Sequence, residues 1–353
     1  MKVLFHCRPN LFEHQGGDRT QIEGTKRGLE AAGVRVDVTV DRAPTLAGYD
    51  LVHVFNPALV PADGVVAARR RGMPIVISTI YWPMAAYFRS YAGFAARLVS
   101  ERVPGWPAGS LDAALRYAGY SWLWRPYHEH SVRRILRDAD LLLPNSTAEA
   151  AVLREHLGVD VPSVVVPNAA DIAEPVGVLP PALMDVPAYV LSVGRLELRK
   201  NQHLLVDEVP ATYPLVFVGN RRVNRAYAAL VETLAARRGN VYFIDQVDRS
   251  ALPAIYRAAR VHAIPSWYET PGLASLEAAV FGTAVVTTDE GGTREYFGTD
   301  AHYCHPARPG STGQAVRAAW ATPPARTFAT RIRETYTWEA VGRLTKSAYA
   351  GLR

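Results

Sequence analysis

Cysteine is almost missing from this sequence: Cys7 and Cys304 are the only two in 353 residues. Two thiols cannot build a disulfide framework. They suit a reducing compartment, where a buried or bystander role is the expected one. Long apolar runs are missing too, and no stretch approaches the roughly 20 residues that a membrane-spanning helix needs. No secretory leader is expected, because Met1-Lys2 runs straight into the short apolar segment Val3-Leu4-Phe5, which ends at His6 and Arg8. Lysine is scarce. Lys2, Lys26, Lys200 and Lys346 are the only ones among 39 basic residues, so each is conspicuous. These absences lead to the expectation of a cytoplasmic protein, with peripheral contact at the inner membrane face left open.

What is present is an ordinary globular balance of 49% hydrophobic and 20% charged residues, at a length that suggests two domains, each with its own core. The net charge of +6 is unevenly spread. Residues 1–185 carry 19 basic and 19 acidic side chains, whereas residues 186–353 carry 20 and 14. A basic second half suits a polyanionic ligand such as a nucleotide diphosphate, although a solvated basic surface accounts for it equally well.

Strand-like and helix-like segments alternate. Val3–His6, Arg35–Val40, Leu51–Phe55, Pro74–Ser78, Asp140–Leu143 and Ser163–Val166 read as strands. Helices are expected from the Gly16-Gly17 loop to about Ala32, over Gly64–Arg71 and over Thr147–Leu157. Asp171–Val186 is Pro-rich and aperiodic, hence a linker. The alternation resumes with strands at Ala188–Gly194, Pro214–Val218, Asn240–Ile244, Val261–Ile264 and Ala284–Thr287. Helices then begin near Asn201 and cover Ala226–Arg237, Arg249–Ala259 and Leu273–Phe281. The expected class is α/β, with two Rossmann-like domains whose mostly parallel sheets face a central cleft. An insert between Tyr81 and Tyr127 is rich in aromatics: Tyr81, Trp82, Tyr87, Phe88, Tyr91, Phe94, Trp106, Tyr117, Tyr120, Trp122, Trp124 and Tyr127. Core packing, an acceptor wall stacking on sugar rings and a membrane-interface patch all remain open for it.

Two segments carry chemistry. In Gly194-Arg195-Leu196-Glu197-Leu198-Arg199-Lys200-Asn201, a strand ends at glycine and two cations, Arg195 and Lys200, follow just before a helix start. That is a phosphate-binding arrangement or a solvated basic loop. In Glu269-Thr270-Pro271-Gly272-Leu273-Ala274-Ser275-Leu276-Glu277, a loop after the strand Val261–Ile264 opens a helix at Gly272. One carboxylate precedes that helix and another lies inside it, so sugar hydroxyls could meet two separate acceptors.

The second segment resembles the E-x7-E signature of retaining glycosyltransferases of the GT-B fold, glycosyltransferase family 4. Gly194-Arg195 with Arg199-Lys200-Asn201-Gln202 is similar to that family's phosphate loop. Val165-Val166-Pro167-Asn168-Ala169-Ala170-Asp171 is similar to its hinge, Gly16-Gly17 to its N-terminal glycine loop, and Phe243–Ala259 to the strand and helix beside the nucleotide base. The resemblance implies that Arg195 and Lys200 bind the donor diphosphate, Glu269 the transferred sugar and Glu277 the ribose. It implies further that Pro271, Gly272 and Leu273 contact sugar or phosphate, and that Gly16 and Gly17 approach from the other domain. Residues 1–172 would form the acceptor domain, residues 173–337 the donor domain, and a last helix from about 338 to 353 would pack back on the first domain. The implied reaction is transfer of a hexose-type sugar, from a GDP- or UDP-sugar, to a glycan, glycolipid or other hydroxyl acceptor.

The chain departs from the family in two respects. Ile77-Ser78-Thr79-Ile80-Tyr81-Trp82-Pro83 lacks the His-Asp pair that many members carry there, and Ala169 replaces the usual hinge glycine. His53, Asn56, Tyr81, Trp82 and Asn145 are the acceptor-side candidates. No metal or other cofactor is expected. Asp138-Ala139-Asp140 has the letters of a D-x-D site but sits where a helix runs into a strand. No nucleic-acid module is present. A sugar-nucleotide 2-epimerase on the same fold and a non-catalytic sugar-nucleotide or glycan-binding protein are the alternatives.

Overall fold

The computed structural model describes residues 1–13, 16–119, 125–171, 177–245 and 247–352, without the side chains of 125–127. Tyr120, Trp122, Trp124, the Tyr127 side chain and residues 172–176 of the expected linker therefore lie outside the described residues. The chain divides into two compact units. One comprises 1–83, 123–171 and 334–353, and the other comprises 84–122 and 172–333.

In the first unit, β1 (Lys2–His6), β2 (Arg35–Thr39), β3 (Leu51–Phe55), β4 (Ile75–Ser78) and β5 (Leu141–Leu143) form one parallel sheet in the order β2-β1-β3-β4-β5. β3, β4 and β5 are buried along their whole length, as expected of strands covered on both faces. The helices are α1 (Gly17–Ala31), α2 (Asp63–Arg70), α5 (Arg125–Arg137), α6 (Thr147–Glu155) and α14 (Trp338–Ala350). Ser146 caps α6, its Oγ accepting from the Glu149 N–H at 3.0 Å. Ser163–Val166, expected as a strand, makes only a bridge from Ser163 to Leu142, with Val164 and Val166 donating to Leu142 and Pro144. Pro162 and Pro167 bracket this short stretch and supply no N–H to extend the ladder. Asp140 of the D-x-D triplet is spent on Arg69 and the Ile75 N–H.

The second unit holds β6 (Val190–Val193), β7 (Leu215–Val218), β8 (Val241–Ile244), β9 (Val261–Ile264), β10 (Ala284–Thr288) and β11 (His302–Cys304), all parallel, in the order β11-β10-β9-β6-β7-β8. The last of these strands was not expected from the sequence, because three residues are too few to show a period. Around the sheet lie α7 (His203–Glu208), α8 (Arg225–Arg238), α9 (Leu252–Ala258), α10 (Leu273–Val280), α11 (Thr293–Phe297), α12 (Ser311–Ala321) and α13 (Arg326–Thr335). The strand order reverses between β6 and β9. Crossovers leave in opposite directions there, which opens a crevice at the carboxyl ends of those two strands.

The boundary drawn at residue 172 needs one correction. α3 (Ala85–Ser100) and α4 (Trp106–Gly119) of the aromatic insert belong to the second unit. Tyr91, Phe94, Leu98, Val103 and Ala113 join the core formed by Tyr227, Leu230 and Phe217, and Arg97 grips Asp207 with two hydrogen bonds of 2.6 and 2.8 Å. Core packing is thus the outcome for Tyr91 and Phe94, with Tyr87 and Phe88 packed against them, while Trp106 and Tyr117 are exposed.

The last helix does return to the first unit. α14 crosses α1 backbone to backbone: a Cβ on Gly28 would lie 2.0 Å from the Trp338 carbonyl oxygen, and one on Gly342 would lie 2.1 Å from the Gly28 carbonyl carbon. The Trp338 ring fills the space over Gly24, and the Tyr349 hydroxyl meets His53 Nδ1 at 2.6 Å. Replacing Gly28 with Val should therefore wedge the helices apart, at about 2–3 kcal/mol. A melting curve should then show a fall in Tm of about 5–10 °C. Gly93→Ala, in open space on α3, should leave Tm unchanged or raise it; an undisturbed Gly28→Val would contradict this packing.

Candidate active site

The crevice where β6 meets β9 collects the charged residues singled out above. β6 ends at Val193, and the chain turns through Gly194 and Arg195 into one 3-10 turn, Leu198–Lys200, closed by Asn201 in the left-handed conformation at φ 58°. Gln202 Nε2 donates to the Arg195 carbonyl at 2.8 Å and holds the loop shut. Gly219, at the end of β7, must be glycine, because a Cβ there would lie 2.3 Å from the Gly194 oxygen. The expectation of cations at a long helix start needs amending. α7 has six residues and begins at His203, so Lys200 rides on the 3-10 turn before it and Arg195 on the loop that leads into that turn. Any pull on an anion comes chiefly from the side chains.

β9 ends at Ile264, and its loop carries Ser266, Tyr268 and Glu269 before Pro271 and Gly272 open α10. Gly272 sits at φ 86°, with Leu273 as the first helical residue. The loop after β10 fixes the Glu269 backbone. The Glu269 N–H donates to the Glu290 carbonyl at 3.1 Å, and the Gly292 N–H donates to the Glu269 carbonyl at 2.9 Å. Gly291, at φ 107°, passes so close that a Cβ would lie 1.9 Å from the Glu269 oxygen. The sequence reading missed this Glu290-Gly291-Gly292 loop, although a glycine pair after a strand and before a helix is the same signal as at Gly16-Gly17.

Three side chains from the two loops meet on one atom. Lys200 Nζ donates to Glu269 Oε1 at 2.6 Å, Ser266 Oγ donates to the same oxygen at 2.5 Å, and Arg199 Nη1 stands 3.7 Å away. Arg199 also reaches Glu197 at 3.2 Å, and so does Arg195. Arg199 lies over the Tyr268 ring at 5.2 Å and donates to the Tyr268 carbonyl. Burial alone would raise the Glu269 pKa, but Lys200, Arg199 and the hydrogen bonds outweigh it and hold the carboxyl below its usual range. Burial lowers the Lys200 pKa, with Arg199 adding to the effect and Glu269 and Glu197 opposing it. Burial likewise works against the Arg199 cation, yet Glu197 and Glu269 keep its pKa above the ordinary value.

The structure thus joins Lys200 directly to Glu269 and links Arg195 to them through Glu197 and Arg199, with Pro271 and Gly272 on the Glu269 loop and Leu273 at the start of α10. The sequence reading gave no separate role to Glu197, Arg199, Ser266 or Tyr268. Glu277 lies further along α10, where its carboxylate accepts from Tyr256 Oη at 2.9 Å and from Arg249 at 3.1 Å. Asp289, Glu290 and His305 place ligand atoms within 4.8 Å of one another, so carboxylates do gather near the Glu269 loop; His305 Nε2 lies 3.5 Å from Glu290.

Gly16 and Gly17 belong to the first unit, where they cap and begin α1 just after β1. The acceptor-side candidates divide. His53 lies in the middle of β3, fully buried. Its Nδ1 meets Tyr349 Oη and its Nε2 meets Ser78 Oγ at 2.9 Å, and burial lowers its pKa to about 3. It is a neutral core residue and no longer a candidate. Tyr81 and Asn145 are also interior: their backbone N–H groups donate to the buried Glu149 carboxylate at 2.7 and 2.8 Å, and Gln21 donates to Asn145 Oδ1 at 3.0 Å. Asn56 and Trp82 stay partly exposed at strand ends. Asn56 and Ile80 both have positive φ, 57° and 45°. For a β-branched residue such as Ile80 this conformation is strained by roughly 1–2 kcal/mol, and such strain gathers at functional sites. Glu149 clamps it from both sides through Thr79 Oγ1 and the Tyr81 N–H. Both thiols are buried, with pKa values pushed up to about 12.

Gly291→Ala should displace Glu269 through both steric contact and backbone strain. A loss of about 1–3 kcal/mol in chemical unfolding is expected; stability matching the parent would mean the loop does not hold Glu269 as described.

Known proteins bear on this site. The family model described as Glycosyltransferase Family 4 matches residues 39–174, and the one described as Glycosyl transferases group 1 matches residues 182–319. A glycogen synthase of Mycobacterium tuberculosis is 28% identical over 325 residues, covering 85% of this chain and 68% of that protein. Sucrose-phosphate synthase from Thermosynechococcus elongatus superposes with a TM-score of 0.76 at 20% identity, over 99% of this chain and 98% of that one. HepE from Anabaena, in complex with UDP-glucose, gives 0.72 at 16% identity, over 99% and 100%. The two family models follow one another along most of the chain and the two parallel sheets have the matching fold: the chain is a glycosyltransferase of the family 4 type, with the GT-B fold.

Proposed function

We propose that the chain is a retaining, metal-independent transferase of the E-x7-E group that moves a hexose-type sugar from a UDP- or GDP-sugar to a hydroxyl of a glycan or glycolipid. The observation that carries this reading is the meeting of Lys200 and Glu269 at the β6–β9 strand reversal, with Arg195 on the same loop. A cation pair suits a diphosphate, and a carboxylate beside it suits the hydroxyls of the attached sugar. The likeness in fold to HepE, which binds UDP-glucose, supports a nucleotide sugar as donor.

In this reading Arg195 and Lys200 stabilise the charge that develops on the departing diphosphate. One lost donor of that kind typically slows the chemical step by on the order of 100-fold or more. Glu269 orients the transferred sugar, Glu277 holds the ribose, and the backbone N–H groups after Gly272 approach the donor. Front-face displacement needs no protein base, because the leaving diphosphate accepts the proton of the acceptor hydroxyl. Asn56 and Trp82 remain as acceptor-side groups. The exposed side chains of Trp106, Leu111, Leu115 and Tyr117 on α4 support peripheral membrane contact.

A thermal-shift screen against UDP-, GDP-, ADP- and dTDP-sugars tests the donor first, since only a bound ligand stabilises the fold. NMR of the product should then show a retained anomeric configuration, with turnover unaffected by EDTA. An inverted product would overturn the retaining assignment. Donor epimerised without any acceptor would favour the 2-epimerase, and binding without turnover a non-catalytic protein.

The pH dependence follows from Lys200. It must be protonated to hold phosphate, and its lowered pKa means the proton leaves earlier as pH rises. kcat/KM for the donor should therefore fall on the alkaline side with an apparent pKa below 10.5, the ordinary lysine value. Lys200→Arg should remove that limb, because arginine keeps its proton; an unchanged limb would assign it elsewhere.

A further inference from the structure

Glu269 Oε1 has two cations competing for it. Lys200 holds it at 2.6 Å, and Arg199 waits at 3.7 Å. On the reading of this crevice as the donor site, Lys200 is also the cation that the diphosphate needs. An ammonium has three donors, but one positive charge shared between a diphosphate and a buried carboxylate serves both poorly. A buried carboxylate that loses its cation is strongly destabilised, so Glu269 resists giving up Lys200 unless another cation takes its place.

Arg199 is built to be that cation. Nη2 is tethered to Glu197 at 3.2 Å, Nη1 donates to the Tyr268 carbonyl at 3.2 Å, and the guanidinium lies over the Tyr268 ring. The group is already oriented, and a shift of about 1 Å would bring Nη1 to charge-assisted hydrogen-bond length from Glu269. Arg195, Glu197, Arg199, Glu269 and Lys200 form a chain of alternating charge, with contacts of 3.2, 3.2, 3.7 and 2.6 Å between successive members. Cations stand at both ends of this chain.

We propose that Arg199 is a positioning residue that takes over Glu269 when the donor draws Lys200 onto its diphosphate. It acts through Glu269 and Lys200, and it lets one loop bind phosphate while the other keeps an ionised carboxylate for the sugar. This role rests on the donor-site reading and goes beyond it, since that reading assigns nothing to Arg199.

A double-mutant cycle tests it. Binding of UDP, GDP, ADP and dTDP is measured by calorimetry, and the one that the wild type holds most tightly becomes the probe. Glu269→Gln should tighten that nucleoside diphosphate by freeing Lys200. Arg199→Met should weaken it by about 10- to 100-fold, the worth of a hydrogen bond to a charged group. In the Glu269→Gln background the same Arg199→Met change should lose most of its effect, leaving the double variant within about threefold of Glu269→Gln alone. Arg199→Lys should fall between wild type and Arg199→Met, and it provides the same cycle at smaller amplitude if Arg199→Met does not fold. Equal losses in both backgrounds would show that Arg199 merely supports the loop and would overturn the proposal while leaving the donor reading intact. A wild type that binds none of the four nucleotides would overturn both.

Discussion

The ion pair between Lys200 and Glu269 ties together two loops that are about 70 residues apart in the chain. The loops lie side by side because the second sheet reverses its strand order between β6 and β9, so both chains leave the sheet at its carboxyl edge and turn away from each other. Much of the surrounding construction keeps that meeting in register. Gly219 lets β7 pass close to Gly194, and Gly291 lets the β10 loop grip the Glu269 backbone. Asn201 ends the 3-10 turn that carries Lys200. Pairing two opposite charges out of water is favourable only if the remaining polar atoms are also satisfied. Ser266, Arg199 and Glu197 meet that demand.

The first unit is held by a different constraint. Gly28 and Gly342 allow α1 and α14 to touch backbone to backbone, and Tyr349 reaches through to His53 beneath the sheet. The C-terminal helix is therefore part of the first unit's core, although more than 160 residues of the second unit intervene in sequence. Where many family members carry a His-Asp pair, this chain has the strained Ile80 and a buried Glu149 that clamps the peptide on either side of it.

Much of this could be read from the residues. The alternating rhythm gave both parallel sheets, because strands buried on both faces are continuous apolar runs and glycines mark their ends. Arg195, Lys200 and Glu269 could be singled out because they stand in loops between a buried strand and a helix, in segments that resemble the family's motifs; composition alone left a solvated basic loop equally open. His53 had to stay a candidate because a histidine in a strand looks the same in sequence whether its ring meets solvent or, as here, Tyr349 and Ser78. The insert was assigned to the wrong unit for a similar reason: Tyr91, Phe94 and Leu98 of α3 are apolar enough to be buried, but their sequence does not show which core covers them. Arg199 passed as one more basic residue of a motif, since its partners Tyr268 and Glu269 become neighbours only when the two loops fold together.

A crystal structure with an intact nucleoside diphosphate sugar would test the central claim most directly. The expected result is a diphosphate held by Arg195 and Lys200 at the β6–β9 crevice, with the sugar hydroxyls on Glu269. A diphosphate bound anywhere else, or a Glu269 carboxylate with no contact to the sugar, would contradict it.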